Sequence, residues 1–211
     1  MTAKRRSQSE RTEHTRGALI HATVDVLREH GMQGATVQAI CKRARVTTGA
    51  IQHHFGSKTG LIAEVVRTLC APFLAELPPD PTLHNNLEAR LDALVAHYWA
   101  IYRDDNYFAM SEVALAARTD PDLMQLIHDF REQQLSILRR SLAEQFPDLD
   151  ICTDQMVESV QCMLDYMRGY ALRRRYYTHV TQEQLDDETA LDHARMILSS
   201  GLMRPQAQAS D

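Results

Sequence analysis

Apolar residues recur every three or four positions along nearly the whole chain, and no two-residue alternation persists long enough for a strand. That period restricts the fold to an all-α class in which helices bury apolar stripes against one another. Leu19, Ile20, Thr23, Val26 and Leu27 share one stripe of a first helix from about Thr15 to His30, with Gly31 as its stop. Three short helices follow. Thr36 is positioned to cap 37–44, where Ile40 and Cys41 face inward. Arg45-Val46 makes a tight turn, and Thr47 or Thr48 caps a helix ending at Phe55. Ser57 caps a fourth, striped by Leu61, Ile62, Val65, Val66 and Leu69. Pro72 bends or ends it, and Pro78-Pro79-Asp80-Pro81 stops it. Five longer units are expected beyond: Leu83 to Tyr102, Tyr107 to Arg118, Pro121 to about Phe146 behind the capping residue Asp120, Thr153 or Asp154 to Tyr177, and Asp186 or Asp187 to Leu202. A frayed polar tail is expected from Arg204.

The 211 residues suffice for one domain or two small ones. A net charge of −5 conceals an asymmetry: residues 1–70 hold 11 Lys/Arg against 5 Asp/Glu, and residues 71–211 hold 12 against 23. A basic head on an acidic body implies two modules, with the head facing a polyanion. No stretch reaches the roughly 20 apolar residues of a membrane span. The charged N-terminus has no apolar signal core, and the four cysteines form no Cys-x-x-Cys pair. A cytoplasmic protein is the expectation.

The strongest local signal lies between Thr36 and Phe55. A helix, a tight turn and a second capped helix, packed on a longer helix before them, is the helix-turn-helix plan. Around the inward pair Ile51 and Phe55, the second helix offers Thr47, Thr48, Gly49, Ala50, Gln52, His53 and His54. Short or planar side chains of this kind allow a helix to approach base edges in the major groove. Gln52 can pair bidentately with adenine, and Thr48 and Ala50 can meet a thymine methyl. Lys42, Arg43, Arg45 and Lys58 surround them with phosphate-seeking charge.

From Leu19-Ile20 through Val26-Leu27, Gly31, Thr36-Val37-Gln38-Ala39-Ile40, Val46 to Phe55 and Ser57-Lys58-Thr59-Gly60-Leu61, the chain resembles the DNA-binding domain of the tetracycline-repressor-like (TetR) family. The resemblance covers about Leu19 to Leu69. It implies a homodimeric transcription regulator, usually a repressor, whose helical C-terminal domain binds a small molecule. It also implies that Thr36 caps the second helix and touches phosphate, and that Gln38 reaches a base or phosphate. Thr47, Thr48 and Gly49 would open the recognition helix, His53 and His54 would lie near the backbone, and Lys58 would bind phosphate. Two positions depart from the family pattern: Arg45 stands where a turn glycine is usual, and Gln52 where tyrosine is common.

Signals for an enzyme are missing. There is no Gly-x-Gly, no P-loop spacing and no Gly-x-Ser-x-Gly. Adjacent His53 and His54 point about 100° apart on a helix and cannot chelate one metal together. No metal and no cofactor are expected. Arg173-Arg174-Arg175 reads as a solvated helix end near acidic Asp186, Asp187 and Glu188 rather than a second nucleic-acid patch.

The expected architecture is a three-helix head over 1–57 and a regulatory bundle over 58–211, bridged by a helix over about 58–72. Two-fold dimerisation is expected through stripes on the last two helices: Met156, Val157, Val160, Met163, Leu164, Met167 and Ala171 on one, and Ala190, Leu191, Ala194, Ile197, Leu198 and Gly201 on the other. Tyr98, Trp99, Tyr102, Phe108, Met110, Met163, Tyr166, Met167 and Tyr170 suit a cavity for an apolar or aromatic effector. The function so read is a regulator, non-enzymatic, that binds a pseudo-palindromic operator and is released by that effector. The alternatives are the same fold answering to a protein partner or to no effector, and a small helical binding protein or enzyme with an incidental basic head.

Overall fold

The computed structural model describes residues 7–75, 86–149, 151–177 and 186–203, which form nine α-helices and one short 3-10 turn without a strand. The Pro78-Pro79-Asp80-Pro81 stop, the Leu83 start and the tail from Arg204 lie outside the described residues.

Helix α1 (Gln8–Gly34) begins a full two turns before Thr15. Ser7 Oγ accepts the Glu10 N–H at 3.2 Å and Glu10 Oε2 accepts the Ser7 N–H at 2.7 Å, a reciprocal capping box. The Ser-x-x-Glu signature was present in the sequence. At Gly31 the backbone leaves the helix (φ 64°, ψ −174°) before one more turn to Gly34. A Cβ there would lie 2.7 Å from Glu112 Oε2, so both conformation and space call for glycine.

Helices α2 (Val37–Ala44), α3 (Gly49–Phe55) and α4 (Lys58–Cys70) follow, then the 3-10 turn Ala71–Leu74 around Pro72. Thr36 Oγ1 accepts the Ala39 N–H at 3.1 Å and Ser57 Oγ accepts the Gly60 N–H at 2.9 Å, the expected caps. Helix α5 is Leu87–Tyr102 behind the cap Asn86, α6 is Asp105–Ala117 and α7 is Pro121–Gln145. Asp120 Oδ1 accepts the N–H groups of Asp122 and Leu123, both at 3.1 Å, at the start of α7. Helix α8 is Thr153–Tyr177, and α9 is Asp187–Leu202 behind the cap Asp186.

The chain divides into two compact units. The first comprises Met1–Pro72 and Asp105–Arg131. Leu19, Val26 and Leu27 of α1, Ile40 of α2, Ile51 of α3, Leu61, Ile62 and Val65 of α4 and Val113 of α6 share its core. Helix α6 packs on α1 and α4. Contacts therefore group α4, α6 and the start of α7 with the head helices, a different line from a functional boundary at 57/58.

The second unit comprises Phe73–Asp104 and Glu132–Asp211. Its core takes Leu94, Tyr98 and Trp99 from α5, Leu142 from α7, Met163 and Met167 from α8 and Leu198 from α9. Small residues bring α8 and α9 together: Ala190 and Ala194 are fully buried, and a Cβ on Gly201 would lie 2.4 Å from Ser159 Oγ. Arg90 is buried against α7. It pairs with both Asp148 oxygens at 2.6 Å and donates to the Gln145 carbonyl at 2.8 Å.

Candidate nucleic-acid interface

The turn between α2 and α3 is built on Arg45, which takes the left-handed conformation (φ 56°, ψ 42°) that the family's glycine would occupy. The Arg45 N–H reaches the Lys42 carbonyl at 3.3 Å and the Val46 N–H the Cys41 carbonyl at 3.0 Å, which close α2. The fold thus keeps the turn and accepts strain of order 1 kcal/mol. In return, an exposed guanidinium stands at the mouth of the motif.

Thr48 occupies the N-cap position of α3, but its backbone is helical and its hydroxyl makes no capping bond. The first N–H bond of α3 instead runs from Ala50 to the Thr47 carbonyl at 3.0 Å. The expected side-chain cap of α3 is absent, and Thr47 and Thr48 are both exposed. Gln52 and His53 are exposed as well, Gly49 has open space where a Cβ would stand, and Ala50 is half-buried. Ile51 alone of the helix is fully enclosed.

His54 is half-buried. Burial, then the neighbouring His53 and Arg16, hold its pKa below the ordinary histidine value. Gln38 and Thr36 are exposed near the start of α2, and Lys58 opens α4. The structure therefore gathers Thr36, Gln38, Arg45, Thr47, Thr48, Gly49, Ala50, Gln52, His53, His54 and Lys58 into one short stretch of α2, turn, α3 and the start of α4.

Arg43 departs from the expectation of free phosphate-seeking charge. Its guanidinium pairs with both Glu29 oxygens, 2.9 Å to Oε1, and lies 3.5 Å from Asp25. The hydrogen bond to Arg43 lowers the Glu29 pKa and raises that of Arg43. Its charge is balanced by α1. Lys42, Arg45 and Lys58 have no such partner among the described residues.

In the second unit, the sequence-predicted effector residues Tyr98, Trp99, Tyr102, Met163, Met167 and Tyr170 are all buried and Tyr166 is half-buried. Trp99 and Tyr170 meet edge to face with centroids 5.7 Å apart, and Tyr166 lies 5.8 Å from Tyr170. The Tyr170 hydroxyl donates to the Asp186 carbonyl at 3.0 Å, and Tyr166 Oη lies 3.1 Å from His193 Nδ1. Burial pushes the Tyr98 phenol up to about 12, with Tyr102 adding to it. The Trp99 indole N–H is enclosed and has no acceptor among the described residues. Phe108 and Met110 belong to the other unit, where Met110 Sδ lies 3.8 Å from Cys70 Sγ. Sequence spacing could not separate them from the rest, because the chain crosses between units at Asp104–Asp105.

The α8 stripe expected to form a dimer face is spent inside the chain: Met156, Val157, Val160, Met163, Leu164 and Met167 are buried by its own helices. Among the residues left outward on α8 and α9 are Cys162, Asp165, Gly169, His193 and Met196. Arg174 pairs with Asp187, in keeping with a helix end rather than a second nucleic-acid patch.

Residues 19–65 match the family model for bacterial regulatory proteins of the tetR family. The chain is 27% identical over 180 residues to the HTH-type transcriptional regulator CymR of Pseudomonas putida, covering 82% of this chain and 85% of CymR. It is 31% identical over 133 residues to the HTH-type transcriptional regulator BetI of Vibrio parahaemolyticus, covering 59% of this chain and 64% of BetI. A solved transcriptional regulator from Rhodococcus sp. Rha1 superposes with a TM-score of 0.64 at 27% identity, over 90% of this chain and 99% of that one. Salmonella enterica GusR shares the fold, with a TM-score of 0.66 at 17% identity over 89% and 95% of the two chains.

Proposed function

We propose that this chain, whose residues 19–65 match the tetR-family model, is a helix-turn-helix transcriptional regulator of that family that binds DNA and is not an enzyme, and that it acts as a cytoplasmic homodimer on a pseudo-palindromic operator. In this reading residues 1–57 read the DNA, residues 58–211 regulate and dimerise, and the helix over about 58–72 joins them. No helix among the described residues is long and apolar enough to cross a membrane.

The observation that carries the DNA reading is the exposed face of α3. Thr48, Gln52 and His53 are exposed there, and Lys42, Arg45 and Lys58 flank them without ion-pair partners among the described residues. Base edges and thymine methyls are what such side chains recognise, and phosphates are what such cations hold. Dimerisation uses the outer faces of α8 and α9, where Met196 stands 60% exposed.

Release by an effector follows from linkage: a ligand shifts the protein from its DNA-competent state only through a difference in affinity between the two states. The enclosed Tyr98, Trp99, Met163, Met167 and Tyr170 favour an aromatic or apolar effector.

Affinity selection of random duplexes by the purified protein tests the DNA reading. A palindromic consensus is expected, together with a sedimenting dimer at micromolar concentration; absence of enrichment or a monomer would overturn it. A panel of aromatic compounds read by Trp99 fluorescence and by release of the selected duplex tests the effector. Release by highly charged polar metabolites alone would refute the apolar reading.

A further inference from the structure

Helix α3 has seven residues, under two turns, and a helix that short has no stability of its own. Its pose is set by what holds it. Ile51 anchors the middle, and the N-terminal end has a backbone bond but no side-chain cap. At the C-terminal end stands Arg16, 38 residues earlier on α1. Its Nη1 donates to the His54 carbonyl at 2.9 Å. Its Cζ lies 4.7 Å from the centroid of the Phe55 ring, and Nη2 lies 3.7 Å from Glu64 Oε1 on α4. The other Glu64 oxygen accepts from Arg67 at 2.9 Å, which fixes the carboxylate. A cation at a helix C-terminus also meets the negative end of the helix dipole.

We propose that Arg16 is a positioning residue for base reading: it sets the seat of α3 against α1 and α4, and so decides where Thr48 and Gln52 fall in the groove, without itself contacting DNA. A planar guanidinium can hold a carbonyl, a ring face and a carboxylate together, whereas a lysine ammonium cannot. The proposal rests on the assignment of α3 as the reading helix. The selection experiment above tests that assignment without altering Arg16.

The test compares the full-length wild type with R16A and R16K on two probes: the duplex that wild type selects from a random pool, and a scrambled duplex of equal length. R16A is expected to lose about tenfold in affinity for the selected duplex, the worth of one base pairing. Its affinity for the scrambled duplex and its salt slope are expected to stay at wild-type values. R16K is expected to resemble R16A, and it carries the test if R16A lacks wild-type helix content. Destabilisation alone lowers both affinities in proportion and leaves their ratio unmoved, which would overturn the proposal. A salt slope reduced by about one would make Arg16 a phosphate contact instead. Full discrimination in R16K would show that charge alone suffices.

Discussion

Arg45 combines a backbone that favours glycine with a side chain that favours phosphate. Arg45→Gly removes strain of order 1 kcal/mol. The thermal midpoint is therefore expected to rise by about 2–4 °C, the shift that 1 kcal/mol gives in a chain of this size. The same change is expected to weaken duplex binding and reduce the salt slope by about one. Calorimetry and fluorescence titration against salt check the two halves. Lys58 and Arg43 make a second contrast. Lys58→Ala is expected to weaken binding to every sequence and to flatten the salt slope, whereas Arg43→Ala is expected to do so much less, because Glu29 and Asp25 already balance that charge. The candidate site was legible in the sequence as a set of residue types at helical spacing. The engagement of Arg43 was not, because its partners sit on another helix, and neither was the role of Arg16, which depends on a bond to a carbonyl that any residue at position 54 would supply.

Several helix starts were legible from their capping residues, as at Thr36, Ser57 and Asp186. Thr36→Ala is expected to cost about 1 kcal/mol, since it frees an N–H that the hydroxyl now holds. Thr48→Ala is expected to cost less stability, since its hydroxyl caps nothing, while altering the sequence that the protein selects. Urea unfolding and a repeated selection separate the two; equal destabilisation would mean that Thr48 does cap α3 in solution. The start of α1 was missed because its first turns are polar and carry no stripe, although Ser7 and Glu10 signalled it. The α8 stripe was found but given the wrong partner: helical period shows which face is apolar, not whether its own chain or a second copy covers it.

For the molecule as a whole, two half-buried histidines, His54 and His97, set a pH dependence. Burial lowers the pKa of His97, and burial with nearby positive groups lowers that of His54. Below the ordinary histidine pKa of about 6.5, the unfolded chain takes up protons that the folded chain refuses. Stability is thus complete above that value, falls as pH drops through it, and levels off once the folded groups protonate. Urea midpoints at about pH 7.5 and about pH 5.5 are expected to show this fall, and His97→Gln is expected to reduce it. Glu29 and Asp186, whose pKa values are lowered by Arg43 and by the Thr189 hydrogen bonds, lose their contributions only in the carboxylate range. The division of the chain has a further consequence, for its synthesis. Each compact unit is made of two separate stretches, so the first cannot close when residue 72 leaves the ribosome; it waits for α6 and the start of α7. Arrested nascent chains in which residue 72 has just emerged are expected to remain sensitive to protease across α1–α4, and those in which residue 131 has emerged to resist it. The DNA-binding motif is made early and becomes a fixed shape late.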